Sequence, residues 1–207
     1  NARWTGPLSG LSESFTAFFP ISYVLFLVLF LGRAHIFTWL HEDLHGKEVW
    51  LNIPFLFTRD CIGLLILYVL GFGYLFNALQ LKLDPNQPRS RLRQSIVEAW
   101  QRNHSKPEEI KRRMTIWGGF YILAFALVLS LIGFDLVMSM DPHWISTLFG
   151  AYHFVKAFFI GLGALIILAS IIRLKQGEAS GITSNHFHDV GKLFFAFCLL
   201  WADFFYV

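Results

Sequence analysis

Residues Phe134–Gly150 read FDLVMSMDPHWISTLFG. The stretch joins two long apolar runs, yet it carries Asp135, Asp141 and His143. Asp135 falls inside the end of the preceding run. Asp141-Pro142 has the form of a helix start, with a carboxylate at the N-cap and proline at the first helical position, where its missing N–H costs nothing. Trp144 suits the border between lipid and water. Two carboxyls and an imidazole at one membrane face can pass protons to or from a bound molecule, since histidine titrates near neutral pH. The same residues also suit a capped hairpin whose polar groups are merely wet.

The rest of the chain explains why this hairpin matters. Of 207 residues, 55% are hydrophobic and 23 are phenylalanine, and the mean hydropathy is +0.52. A soluble domain of this size is far more polar, whereas each membrane span needs about 20 mostly apolar residues. The pattern predicts an all-α integral membrane protein, a single membrane domain with about five transmembrane helices. The expected spans are 15–31, 53–79, 114–138, 147–172 and 186–207. Residues 1–14 are a polar lead, but Asn1 is not an initiator methionine, no cleavable signal peptide precedes the first apolar run, and the last run stops at Val207 without a polar flank, so the sequence reads as an internal piece of a larger helix-bundle subunit.

Charge sets orientation. Lys82–Arg113, the body of an expected cytoplasmic loop over 80–113, holds nine Lys/Arg against four Asp/Glu. Leu92, Ile96, Val97 and Trp100 recur there at helical spacing among arginines, as in a helix lying on a membrane surface. Ser105-Lys106-Pro107-Glu108 resembles a capping box. The 173–178 loop, two spans later, is also basic. The 33–50 and 139–146 loops carry only Arg33 and Lys47, which places them on the outer side. The formal charge of +3 therefore marks membrane orientation rather than nucleic-acid binding. An impermeant thiol reagent applied from outside should label Ile145→Cys and spare Ser95→Cys; the opposite pattern reverses the topology.

Cys61 and Cys198 are the only cysteines, and the absence of CxxC argues against iron–sulfur or cysteine-type zinc sites. His41 and His45 share a helical spacing that suits metal, but Gly46 follows at once and no third ligand is evident, so a wet loop is the preferred reading. No metal site and no cofactor of the chain's own are expected. A haem-b subunit needs facing histidines inside spans, and only His153 lies well inside one.

Polar groups inside the spans are the candidate functional residues, since an intramembrane charge is costly unless it serves a purpose. Arg59 and Asp60 sit in the first turns of the second span, where they can snorkel or neutralise each other. Lys156 lies about fifteen residues past the expected helix start at Asp141, about 20 Å deep at 1.5 Å per residue, near His153, and must face the bundle interior, pair, or lose its proton. In the fifth span His188, Lys192 and Asp203 fall close to one stripe at 100° per residue, with Asp189 placed to pair with Lys192. The stripe suggests the cytoplasmic half of a proton path, or glue between helices. Arg59, Asp135, Asp141 and His143 are expected to converge in one wet outer cavity.

FDLVMSMDPHWISTLFG, Trp50-Leu51-Asn52-Ile53-Pro54-Phe55 with Arg59, and Phe187-His188-Asp189-Val190-Gly191-Lys192-Leu193-Phe194-Phe195-Ala196-Phe197 together resemble a known family. It is the second polysulfide reductase-type (NrfD-like) membrane subunit of bacterial alternative complex III, a quinol:electron-acceptor oxidoreductase. The resemblance covers essentially the whole chain and implies that the family's first two and last few spans lie outside it. It implies a subunit of the bacterial cytoplasmic membrane without a redox centre of its own, associated with quinone or proton conduction. The implied partners are a homologous membrane subunit, an iron–sulfur protein, multihaem cytochrome c subunits, lipid and quinol. The matched positions are Arg59, Asp135, Asp141, His143, His188, Asp189 and Lys192, whereas Lys156 departs from the pattern. A stand-alone secondary transporter and a passive anchor for redox subunits are the contrasting readings, and no paired broken helices of the transporter kind are visible in the sequence.

Overall fold

A computed structural model describes residues 5–41, 44, 46–82, 106–141 and 143–206. These residues form helices and turns, with no strand among them. The helices are α1 (Thr5–Ser14), α2 (Phe19–Leu29), α3 (Arg33–Ile36), α4 (Ile53–Lys82), α5 (Pro107–Ile132), α6 (Phe149–Gln176) and α7 (Ser184–Tyr206). Four stretches are long and apolar enough to cross a membrane: Gly6–Ile36, Ile53–Lys82, Pro107–Met140 and Phe149–Ser180. The protein is thus an all-α, multi-pass membrane protein. α7 stands where the fifth span was expected but is not among these four, and it carries Asp189, Lys192 and Asp203.

Helix ends depart from the sequence expectation for local reasons. Residues 5–14, read as a polar lead, are helical. Their hydroxyls turn inward, with Ser9, Ser12 and Ser14 donating to the carbonyls of Gly6, Ser9 and Leu11 at 2.9, 2.9 and 2.6 Å. Side chains that bond their own preceding turn need no other partner, so these polar residues can sit within a helix. α5 starts at Pro107, with Glu108 and Glu109 in its first turn, as the positive end of a helix favours. Ser105 and the arginine-rich 83–105 stretch, including the expected surface helix, lie outside the described residues.

The chain divides into two compact units, residues 1–61 with 126–207, and residues 62–125. In the first, Leu8 of α1 packs with Ala169, Ile182 and Val190. A second core gathers Phe30, Phe37, Trp39, Leu44, Leu51 and Leu56. Among the described residues of the 33–50 stretch, Phe37, Trp39 and Leu44 are thus packed in an apolar core, and the Thr38 hydroxyl donates to the Met140 carbonyl at 3.0 Å. α6 and α7 meet through aromatic rings: Phe159 on Phe194 and Phe158 on Phe197, each 4.5 Å apart, with Trp201 stacked near Phe159 and Tyr152. Their connection closes through two positive-φ glycines, Gly177 and Gly181, and a hydrogen bond from Arg173 to the Ile182 carbonyl.

The second unit joins the later part of α4 to the early part of α5 by small-against-large contacts. The Trp117 ring lies over Gly73, so close that a Cβ there would stand 2.5 Å from Cε3. Tyr74 in turn lies against Gly118. In lipid, helices gain little from hydrophobic burial and associate through such close packing at small residues. Asn77, buried in this unit, satisfies its amide within the helix by donating to the Gly73 carbonyl at 2.7 Å.

Candidate functional site: a buried arginine–aspartate pair

The site in the first unit is built by two local devices. α4 begins just after Trp50 and carries Arg59 on its second turn. α5 does not run on regularly: Gly133–Val137 is a π-helical turn, followed by a 3₁₀ turn at Met138–Met140. Such turns arise where a helix accommodates an extra residue, often at functional positions. Gly133 permits this one to pack, because a Cβ there would stand 2.8 Å from Cβ and Cγ of His153. Gly150 does the same for the Phe134 ring, at 2.7 Å. Within the π turn Asp135 is fully buried, and Ser139 donates to its carbonyl at 2.5 Å.

Arg59 grips this carboxylate with two donors, Nε to Oδ2 and Nη2 to Oδ1, both 2.6 Å. The fork matches a carboxylate's two oxygens, which makes this the strongest of side-chain ion pairs. The Trp50 indole N–H donates to Oδ1 at 3.0 Å. The guanidinium also lies 3.9 Å from the centre of the Trp50 ring and 4.7 Å from that of Phe55, where ring faces attract a cation. With Arg59 only 11% exposed and Asp135 wholly enclosed, the outer cluster is a closed pair rather than a wet cavity.

Asp60 does not neutralise Arg59 as adjacency suggested. Neighbouring residues on a helix point about 100° apart, and Arg59 turns to Asp135 instead. Asp60 is fully buried with no hydrogen-bond donor on either oxygen, and the Nη1 of Arg59 is also buried and unpartnered. Asp60 feels both Asp135 and Arg59. Sequence reasoning passed over Trp50 as a ligand of the carboxylate and Asp60 as a member of the site. Only the closeness of Trp50, Arg59 and Asp60 in sequence hinted at either.

The remaining candidates fall elsewhere. Asp141 caps only a turn, accepting from the N–H groups of His143 and Trp144 at 3.1 and 3.3 Å. α6 itself starts later, at Phe149, without a side-chain cap. Asp141 and His143 are both exposed, so the expected convergence with Arg59 is limited to Asp135. Lys156 is half-buried with its ammonium 5.3 Å from the centre of the Tyr152 ring, and His153 lies within its electrostatic reach. The side chains of His41 and His45 lie outside the described residues.

The fifth-span stripe turns away from the chain's own core. His188, Lys192 and Asp203 are exposed and Asp189 is half-buried, with no ion pair joining them among the described residues. The aromatic side of α7 took the contact with α6, which left the charged side outward. The expectation that Lys192 faces an interior and pairs with a carboxylate therefore does not hold within this chain. A 510 Å³ cleft bounded by Trp39, Leu44, Glu48, Leu51 and Asn52 also opens in the first unit. No family model matches the chain, and comparison with curated proteins gives no match.

Proposed function

We propose that the chain is part of the second polysulfide reductase-type membrane subunit of a bacterial quinol:electron-acceptor oxidoreductase of the alternative complex III kind. It would sit in the cytoplasmic membrane, hold no redox centre, and contribute a proton path or a quinone-associated site. The observation that carries this reading is the Arg59–Asp135 pair, enclosed with a second carboxyl between two stretches long and apolar enough to cross a membrane. Enclosed charges at membrane depth cost several kcal/mol unless paired or used. The three motifs that resemble the family support the same reading.

The partners proposed are a homologous membrane subunit, an iron–sulfur protein and multihaem cytochrome c subunits, with quinol as the reductant. Purification of the native complex through a tag on this subunit tests it. Haem-bearing and iron–sulfur partners with quinol oxidation support the reading, while a chain that purifies alone and moves a solute across vesicles favours a secondary transporter.

The exposed α7 stripe bears on the same experiment. Lysine against lipid near the middle of a span costs about 2.5–3.5 kcal/mol, and Lys192 lies eight residues into the 23-residue α7, so this face calls for water or protein. The double change Lys192→Leu and Asp203→Leu is expected to leave the chain folded while releasing its partner subunits. Retention of the partners with higher stability would mean that the face meets lipid.

A further inference from the structure

Asp60 is the one fully buried carboxyl in the described chain whose two oxygens both lack a donor. Its surroundings are Arg59 and Asp135, with Cys61 also within its field. Counted as ionised groups, Asp60, Asp135 and Arg59 carry −1, −1 and +1, a net charge of −1 in an enclosed space. One proton brings that sum to zero. Two carboxyls that face each other can make a hydrogen bond only when one of them carries a proton, and two close carboxylates do not both stay ionised in a dry site.

We propose that Asp60 and Asp135 form a proton-binding site, with one exchangeable proton held between the two carboxyls and Arg59 as its fixed counter-charge. The spare groups fit this use. With the proton bound, Asp60 is neutral, Asp135 is the carboxylate that Arg59 grips through Nε and Nη2, and Nη1 has no task. When the proton leaves to water, Asp60 becomes a carboxylate, and Arg59, whose charge already acts on it, is the cation that balances it. An idle donor on Arg59 and two idle acceptors on Asp60 leave the site groups to spare in either charge state. A merely structural ion pair has no need of a second carboxyl. The site deepens the proposed function, on which it rests only for the origin and destination of the proton.

Infrared spectroscopy of the purified complex, or of the full chain in lipid nanodiscs, reads the site directly. The wild type is expected to show a protonated-carboxyl C=O band at neutral pH that falls away as pH is raised. D60N should lose this band and E178Q, altered at an exposed carboxyl in the turn between α6 and α7, should keep it. If D60N does not accumulate, D60E carries the test, since it keeps a carboxyl and must keep the band at a displaced frequency. A band unchanged in D60N or D60E, or absent from the wild type, overturns the proposal. Loss of the band in D60N with quinol-linked proton movement intact leaves the site standing and removes it from the conduction pathway.

Discussion

Asp135→Ala is expected to destabilise the first unit by about 3–5 kcal/mol, because it strands a guanidinium where little water reaches it. Arg59 is 11% exposed and makes both of its short bonds to this carboxylate. The Trp50 indole loses its acceptor in the same step. Cation–π contact with Trp50 and Phe55 softens the loss, at about 1–2 kcal/mol for a desolvated cation, and is too small to offset it. Arg59→Met combined with Asp135→Leu should recover most of the stability, since an apolar pair of similar volume replaces a buried ion pair at little cost. A double-mutant cycle of unfolding in mixed micelles checks both statements. Additive losses in the double variant would show that the pair contributes no coupling.

Gly73→Ala is expected to have the second largest effect, about 1–3 kcal/mol for overpacking a close contact. The new methyl would meet three atoms of the Trp117 ring at 2.5, 2.6 and 2.8 Å, so the indole or one helix must move. Neither helix has a compensating hydrophobic drive in lipid, which leaves packing as the main force holding the pair. Gly73→Ala with Trp117→Leu should restore much of the loss by freeing space at the same point. A control at Gly119, where an added Cβ meets nothing within 4 Å, should be near neutral. Since alanine favours the helix over glycine, an equal loss at positions 73 and 119 would mean that the Trp117 contact does not set the effect.

How much of this was legible in the sequence follows from what each signal encodes. Apolar runs reported the helices well, because span length and hydropathy are local properties. Boundaries moved where polar residues could hide their hydroxyls, as Ser9, Ser12 and Ser14 do. That Arg59 and Asp135 were special was readable from their cost in a span. That both lie on one face was readable too, but their closing into a water-excluding bidentate pair was not, because it runs through a turn whose irregularity nothing in the local pattern announces. The α7 stripe shows a related limit. Helical angle tells which residues share a side, and it placed His188, Lys192 and Asp203 together. Which side packs depends on the competing face, and Phe194, Phe197 and Trp201 won that contact.

The π turn at Gly133–Val137 has a consequence for how this hairpin tolerates change in length. A turn closed by i→i+5 bonds holds one residue more than an α turn, so it is the imprint of a single-residue insertion absorbed in place. Removing that residue would let an ordinary helix form and swing everything after it by about 100°. Asp135 would then leave Arg59, although every amino acid of the site would still be present. The geometry of the pair is thus written in the count of residues between Ile132 and Met138 as much as in their identity.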